Sequence, residues 1–235
     1  MPSPVGDNIL FDDFNGHVVM AAACSQGPWE VTADSGGTAL TVDQPGGVLR
    51  LDTDCTDDDV IMVAAGRAAW RVQDGAIDVL FRAKVDNIAT VAYSIGLTDA
   101  NTESSTMPWH LGACDALTTT ASTGIGFVFD TDAATDTIHT LYVDDDTDGT
   151  LTNTALAPVN ATYRTYRIRL EDAGSGNQVR AEFSICCNNY YEVRTATIDR
   201  DVQLTPFVAV QNRTGAGRLF DVDYIYISGS RPADC

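Results

Sequence analysis

Residues 163–185, YRTYRIRLEDAGSGNQVRAEFSI, read as two β-strands around a turn. In the first, Tyr166, Ile168 and Leu170 share one face, and Arg167 and Arg169 the other. In the second, Val179, Ala181, Phe183 and Ile185 alternate with Arg180, Glu182 and Ser184. Strict alternation of apolar and polar side chains is the signature of a strand with one face in a core and one in water. The Gly- and Asn-rich connection, DAGSGN (172–177), supplies the backbone freedom a reversal needs.

The same pattern extends outward along the chain. AIDVLFRAKV (76–85) puts Ile77, Val79, Phe81, Ala83 and Val85 on one face. TVAYSIGL (90–97), GIGFVFD (124–130), TIHTLYV (137–143), TPFVAVQN (205–212) and RLFDVDYIYI (218–227) read as further half-buried strands. No run of ten residues carries a helical period. The expected fold class is all-β, a sandwich or jelly roll of two antiparallel sheets. With 235 residues and no shift in composition, one domain spans residues 9–230, with an arm at 1–8 and a tail at 231–235. The stretch 99–123 is long, polar and poorly periodic, and loops of that length usually serve contacts or function.

Thirty-three acidic residues against fourteen Lys and Arg leave a net charge of −19. Only Glu30, Glu103, Glu171, Glu182 and Glu192 are glutamates; the remaining acids are Asp, a residue of turns. A field of this sign argues against nucleic acid or an anionic membrane as partner. No stretch of 18 apolar residues offers a membrane span. The start, MPSPVGDNILFDDF, lacks the basic and apolar regions of a signal peptide. Six cysteines are present without a C-x-x-C spacing, and their pairing is open among fifteen combinations. Cys186 and Cys187 are neighbours, and on a strand they would face opposite ways.

VDDDTDGT (143–150) places Asp144, Asp146 and Asp148 at alternate positions before Gly149, the opening of a calcium loop. Position 12 of such a loop would be Ala155, where a bidentate Glu is needed. The competing reading is a surface hairpin closed by Asp148-Gly149. Two more acidic clusters, LDTDCTDDD (51–59) and DTDAATD (130–136), read as cation sites or as solvated loops. Calcium is the one cofactor these patterns admit.

No G-x-S-x-G elbow and no E-x-D-x-E strand are present, so hydrolase signatures are missing. An enzyme would need two convergent carboxylates, or His139 set against the arginines of 164–169. Trp29 and Trp70 are expected in the core. Trp109 and His110, inside the polar stretch 99–123, are the candidate sugar-binding residues, and the competing reading is that Trp109 is a buried anchor that pins the loop. Asn160-Ala161-Thr162 and Asn212-Arg213-Thr214 match the glycosylation sequon, by chance on this reading.

ILFDDFNG (9–16) and FDVDYIYISGSRP (220–232) resemble the paired first and last strands of concanavalin A-like (laminin-G-like) jelly rolls. GFVFDTDAATDTIHTLYVDDDTDGT, APVNATYRTYRIRL and LTPFVAVQNRTGAGRLFDVDYIYI resemble a group of tailed-phage virion proteins, similar to head decoration or cement proteins, over residues 75–230. That resemblance implies a non-enzymatic protein of the virion, assembled in the host cytoplasm. Its partners would be the major capsid protein or other virion proteins, with self-association into a homo-oligomer. On the same fold, a lectin-like module for host-surface glycan and a polysaccharide-cleaving enzyme are the alternatives.

Overall fold

The computed structural model describes residues 8–15, 19–20, 28–34, 36–42, 44–66, 69–100, 106–186 and 190–230. Most of the expected arm, the tail, His17, Cys24, Cys187 and Cys235 lie outside the described residues.

Nineteen strands run through the described residues. They begin with β1 (Asn8–Asp12), β2 (Val19–Met20), β3 (Trp29–Ala33), β4 (Thr38–Val42), β5 (Val48–Asp52) and β6 (Val60–Ala65). Next come β7 (Ile77–Val85), β8 (Val91–Thr98), β9 (Trp109–Gly112), β10 (Ala116–Thr119), β11 (Gly124–Asp130) and β12 (His139–Asp144). The last are β13 (Thr147–Asp148), β14 (Thr152–Asn153), β15 (Arg164–Asp172), β16 (Val179–Cys186), β17 (Tyr190–Ala196), β18 (Thr205–Asn212) and β19 (Leu219–Gly229). The only helical pieces among the described residues are two three-residue 3-10 turns, Val72–Asp74 and Ala113–Asp115.

The strands form two large antiparallel sheets and one hairpin. The first sheet runs β17-β16-β15-β7-β19-β5-β4-β2, with β1 alongside β19. The second runs β13-β12-β11-β8-β18-β6-β3, with β14 beside β12. As the terminal segments imply, β1 lies against β19, with Phe11 opposite Tyr226. The core between the sheets takes the apolar face of each strand: Val79 and Phe81 from β7, Ile168 from β15, Phe183 from β16, Ile95 from β8 and Phe127 from β11. Trp29 and Trp70 belong to it, as expected.

The central strands of the second sheet differ from the sequence reading. β6, β8, β11 and β18 are buried on both faces, not one. The cause is the stretch 99–123. It is not wholly irregular: β9 and β10 pair as a hairpin, Trp109 opposite Thr119, and lie over the outer face of the second sheet. There Met107, Trp109 and Leu111 form a second apolar cluster with Met62, Val128 and Phe207. Covered on both sides, these strands can be apolar at consecutive positions, as VIMVAA (60–65) is.

Candidate functional site

Trp109 does not present a stacking surface, because its side chain is fully buried. Three glycines make room for it on the sheet: Gly96 on β8, and Gly124 and Gly126 on β11. A Cβ at Gly96, Gly124 or Gly126 would stand 3.0, 2.6 or 2.5 Å from the six-membered ring of the indole. Phe207 meets the ring edge-on at 4.8 Å between centroids. The indole Nε1 donates to the Phe127 carbonyl at 3.1 Å, and Ser94 Oγ donates to the Trp109 carbonyl at 2.5 Å. The tryptophan is an anchor for the hairpin.

His110, the next residue, has a different setting. Alternation along β9 turns it away from Trp109 and Leu111, and it stays half-exposed. The charged groups acting on it are Arg213, Asp130, Asp58 and Asp132. Burial, then the positive charge of Arg213, lowers its pKa, so the imidazole is neutral at pH 7 and offers one donor and one acceptor.

Arg213 and Asp130 form the floor of this cluster. Asp130 ends β11 and is fully buried; Arg213 follows β18 with 8% of its side chain exposed. The guanidinium grips the carboxylate with two bonds, Nε to Oδ1 at 3.0 Å and Nη2 to Oδ2. The same carboxylate accepts the backbone N–H of Leu111 at 3.1 Å and of Asp132 at 3.0 Å. It therefore ties the hairpin and the 130–136 turn to the sheet. Burial pushes the Asp130 carboxyl above its usual range, against the pull of the Arg213 hydrogen bonds. Burial is the largest single influence on Arg213 and works against its charge, but the bonds and charges of Asp130, Asp58 and Asp132 together outweigh it and raise the guanidinium pKa.

Asp58 and Asp132 make the rim, with 64% and 56% of their side chains exposed. Arg213 Nη1 donates to Asp58 Oδ1 at 2.9 Å. Gln211, on the outer face of β18, donates through Nε2 to the Asp58 carbonyl at 3.1 Å. Its Oε1 is buried and has no partner among the described residues. Next to it, the Asn212 amide donates to the carbonyls of Asp54, Thr56 and Thr214, at 3.1, 2.6 and 3.0 Å, and holds the 53–59 loop in place. Asn212 is fully buried, so the second sequon is no glycan acceptor. Both acidic clusters seen in the sequence thus meet at one end of the second sheet. Arg213 joins them, and neither it nor Gln211 carries a local sequence signal.

The Asp144, Asp146 and Asp148 carboxylates do not converge. Asp144 Oδ1 accepts the Asp199 N–H at 3.1 Å, and Asp148 Oδ1 accepts the Thr119 hydroxyl at 3.0 Å. Asp146 occupies the turn itself. The register, Asp144 opposite Thr147 and Val143 opposite Asp148, makes Asp145-Asp146 the two-residue turn in place of the expected Asp148-Gly149. Gly149 instead leaves room for the Tyr142 ring, which a Cβ at this position would strike. Among the described residues no group of three or more His, Cys, Asp or Glu is arranged to hold a metal ion.

His139 is not assembled with the 164–169 arginines. It faces the outer side of the second sheet, while Arg167 and Arg169 lie on the outer side of the first, paired with Asp78 and Glu171. Cys55 and Cys114 are exposed and have no disulfide partner among the described residues.

No protein-family model matches the chain, and no curated protein matches it in sequence. Solved structures match it in shape. A protein of unknown function from Shewanella oneidensis MR-1, SO2946, superposes with a TM-score of 0.63 at 13% identity, covering 97% of this chain and 89% of that one. Peanut lectin superposes with a TM-score of 0.61 at 10% identity, over 98% of this chain and all of the lectin. An endo-1,3-beta-glucanase from Streptomyces sioyaensis reaches 0.61 at 15% identity, over 99% of both chains. At such identities the likeness shows the fold alone: the chain is a concanavalin A-like jelly-roll sandwich, the fold of the legume lectins.

Proposed function

We propose that the protein is a non-catalytic carbohydrate-binding module whose site is the cluster of His110, Asp58, Asp132, Gln211, Asp130 and Arg213. Gln211 is the observation that carries this reading. Its Oε1 has no partner among the described residues, and the same amide donates through Nε2 to the Asp58 carboxylate that Arg213 holds in place. A sugar hydroxyl is both donor and acceptor, and it satisfies such an acceptor while bonding to a neighbouring carboxylate or neutral imidazole. The likeness to lectins supports the reading at the level of fold. The carboxylates gather on one guanidinium, whereas glycoside hydrolysis needs two facing each other across the scissile bond.

A glycan array followed by calorimetry tests the site. Asp58→Ala and His110→Ala should weaken binding at least tenfold, while Tyr191→Ser, on the other sheet, should leave it unchanged. Binding that survives both cluster variants would move the site elsewhere, and no binding on the array would end the reading.

A virion role is a second reading, supported by the resemblance over residues 75–230. Docked on the major capsid protein or other virion proteins, the module would attach a phage particle to host-surface glycan. Electron microscopy of particles, with this chain at fixed lattice positions, is its measurement.

A further inference from the structure

The first sheet turns an unusual face to solvent. Its strands carry six of the fourteen Lys and Arg residues on that side: Arg50, Arg82, Lys84, Arg167, Arg169 and Arg180. Six of the thirty-three acids accompany them: Asp52, Asp78, Glu171, Glu182, Asp221 and Asp223. The face is formally neutral, so the whole net charge of −19 lies on the rest of the molecule.

The charges alternate as ion pairs. Arg50 and Lys84 share Asp221, Arg82 holds Asp223, Arg167 holds Asp78, and Arg180 bridges Glu171 and Glu182. Between the pairs lies an apolar and aromatic centre. Ile9 and Phe11 of β1 are 57% and 56% exposed, and Phe11 touches the rings of Tyr224 and Tyr226 at 6.3 and 6.5 Å. Leu40, 37% exposed, stands on the same face on β4, opposite Arg50.

We infer that this face is where a second copy of the chain docks, back to back about a two-fold axis near Phe11 and Tyr226. The charge distribution selects that occupant. Two chains of net charge −19 repel each other through most of their surfaces, and this face brings no net charge to the contact. A basic partner would be drawn to the acidic remainder of the molecule. Alternating ion pairs are self-complementary under a two-fold axis, since each residue meets its own counterpart's neighbours. Exposed aromatics and arginines are also the residue types enriched at interface centres. The inference does not depend on the glycan reading, but a dimer formed this way would leave both His110 clusters on the opposite sheets, free to act together.

Sedimentation velocity of the full chain tests it. The expected species has twice the 25.1 kDa chain mass. Raising salt from about 10 mM to about 150 mM shortens the screening length from about 30 Å to about 8 Å, relieves the mutual repulsion and should tighten the dimer. Phe11→Glu should return the single-chain mass and give a cooperative melt whose midpoint no longer depends on chain concentration. If Phe11→Glu fails to fold, Ile9→Lys, at a more exposed position, reads the same contact. A wild-type chain of single mass at both salt concentrations would overturn the inference. So would a dimer that survives the folded variant, because its interface would then lie on another face.

Discussion

Trp109 lies so close to the Gly126 backbone that a Cβ at Gly126 would stand 2.5 Å from its Cζ2 and closer still to the Ile95 carbonyl. Gly126 is paired across the sheet with Gly96, so two strands are bare of side chains where the indole crosses them. Gly126→Ala should destabilise the protein by about 3 kcal/mol, the upper end for overpacking, because one of the clashing atoms is backbone. Trp109→Ala should cost ~3–5 kcal/mol and uncover the apolar outer face of the second sheet. Urea denaturation checks both. A Gly126→Ala variant as stable as wild type would mean the hairpin does not rest on this glycine floor.

Arg213 neutralises a carboxylate that is fully buried. Arg213→Ala leaves Asp130 buried and charged and should destabilise by ~3–5 kcal/mol. Arg213→Met with Asp130→Asn removes both charges and should recover part of that loss, although the amide still has to satisfy the Leu111 and Asp132 N–H groups. A double variant no more stable than Arg213→Ala would show that the pair acts through geometry and not through charge.

The sheets were legible because alternation is a local signal. GIGFVFD and TPFVAVQN coincide with β11 and β18, and the terminal segments pair as their resemblance implied. The hairpin over the second sheet was not legible. Its strands are four residues each, and Trp109 and Leu111 are too few to set a period. A clue existed in Gly96, Gly124 and Gly126, since glycine inside a strand marks a close approach. The cluster was half legible. Asp58, Asp130 and Asp132 stood out as acidic runs, but only the fold shows that Arg213 and Gln211 stand among them, 75 or more residues away in sequence.

Two histidines make the protein sensitive to mild acid. Burial holds the pKa values of His110 and His139 below the ordinary value of 6.5. In the unfolded chain each takes up a proton near pH 6.5, while the folded chain resists it, so the unfolded state binds more protons in this window. The stabilisation is complete above about pH 6.5 and is lost as the pH falls through it toward the lowered folded values. Asp130, with its raised pKa, acts in the opposite sense at lower pH and offsets part of the loss. Thermal melts between pH 8 and pH 5 should show a falling melting temperature. His139→Phe should make that decline shallower, and a wild-type melting temperature that rose on acidification would contradict the assignment.

The Asp145-Asp146 turn sets the calcium reading against the hairpin reading in one experiment. Both residues have positive φ, 48° and 61°, the mark of a type I′ turn between Asp144 and Thr147. Asp tolerates this conformation, but Asn followed by Gly suits it best. The variant Asp145→Asn with Asp146→Gly keeps the backbone bond from the Asp146 position to the Ser122 carbonyl and removes two negative charges from a crowded acidic corner. It should gain about 1 kcal/mol, which for a chain of this length raises the melting temperature by about 2–4 °C. A calcium site would give the opposite result, because Asp146 would be a ligand. Wild type would then melt several degrees higher in calcium, and the variant would lose that shift. The register of β12 and β13 predicts instead that the variant melts higher than wild type by the same margin with and without calcium.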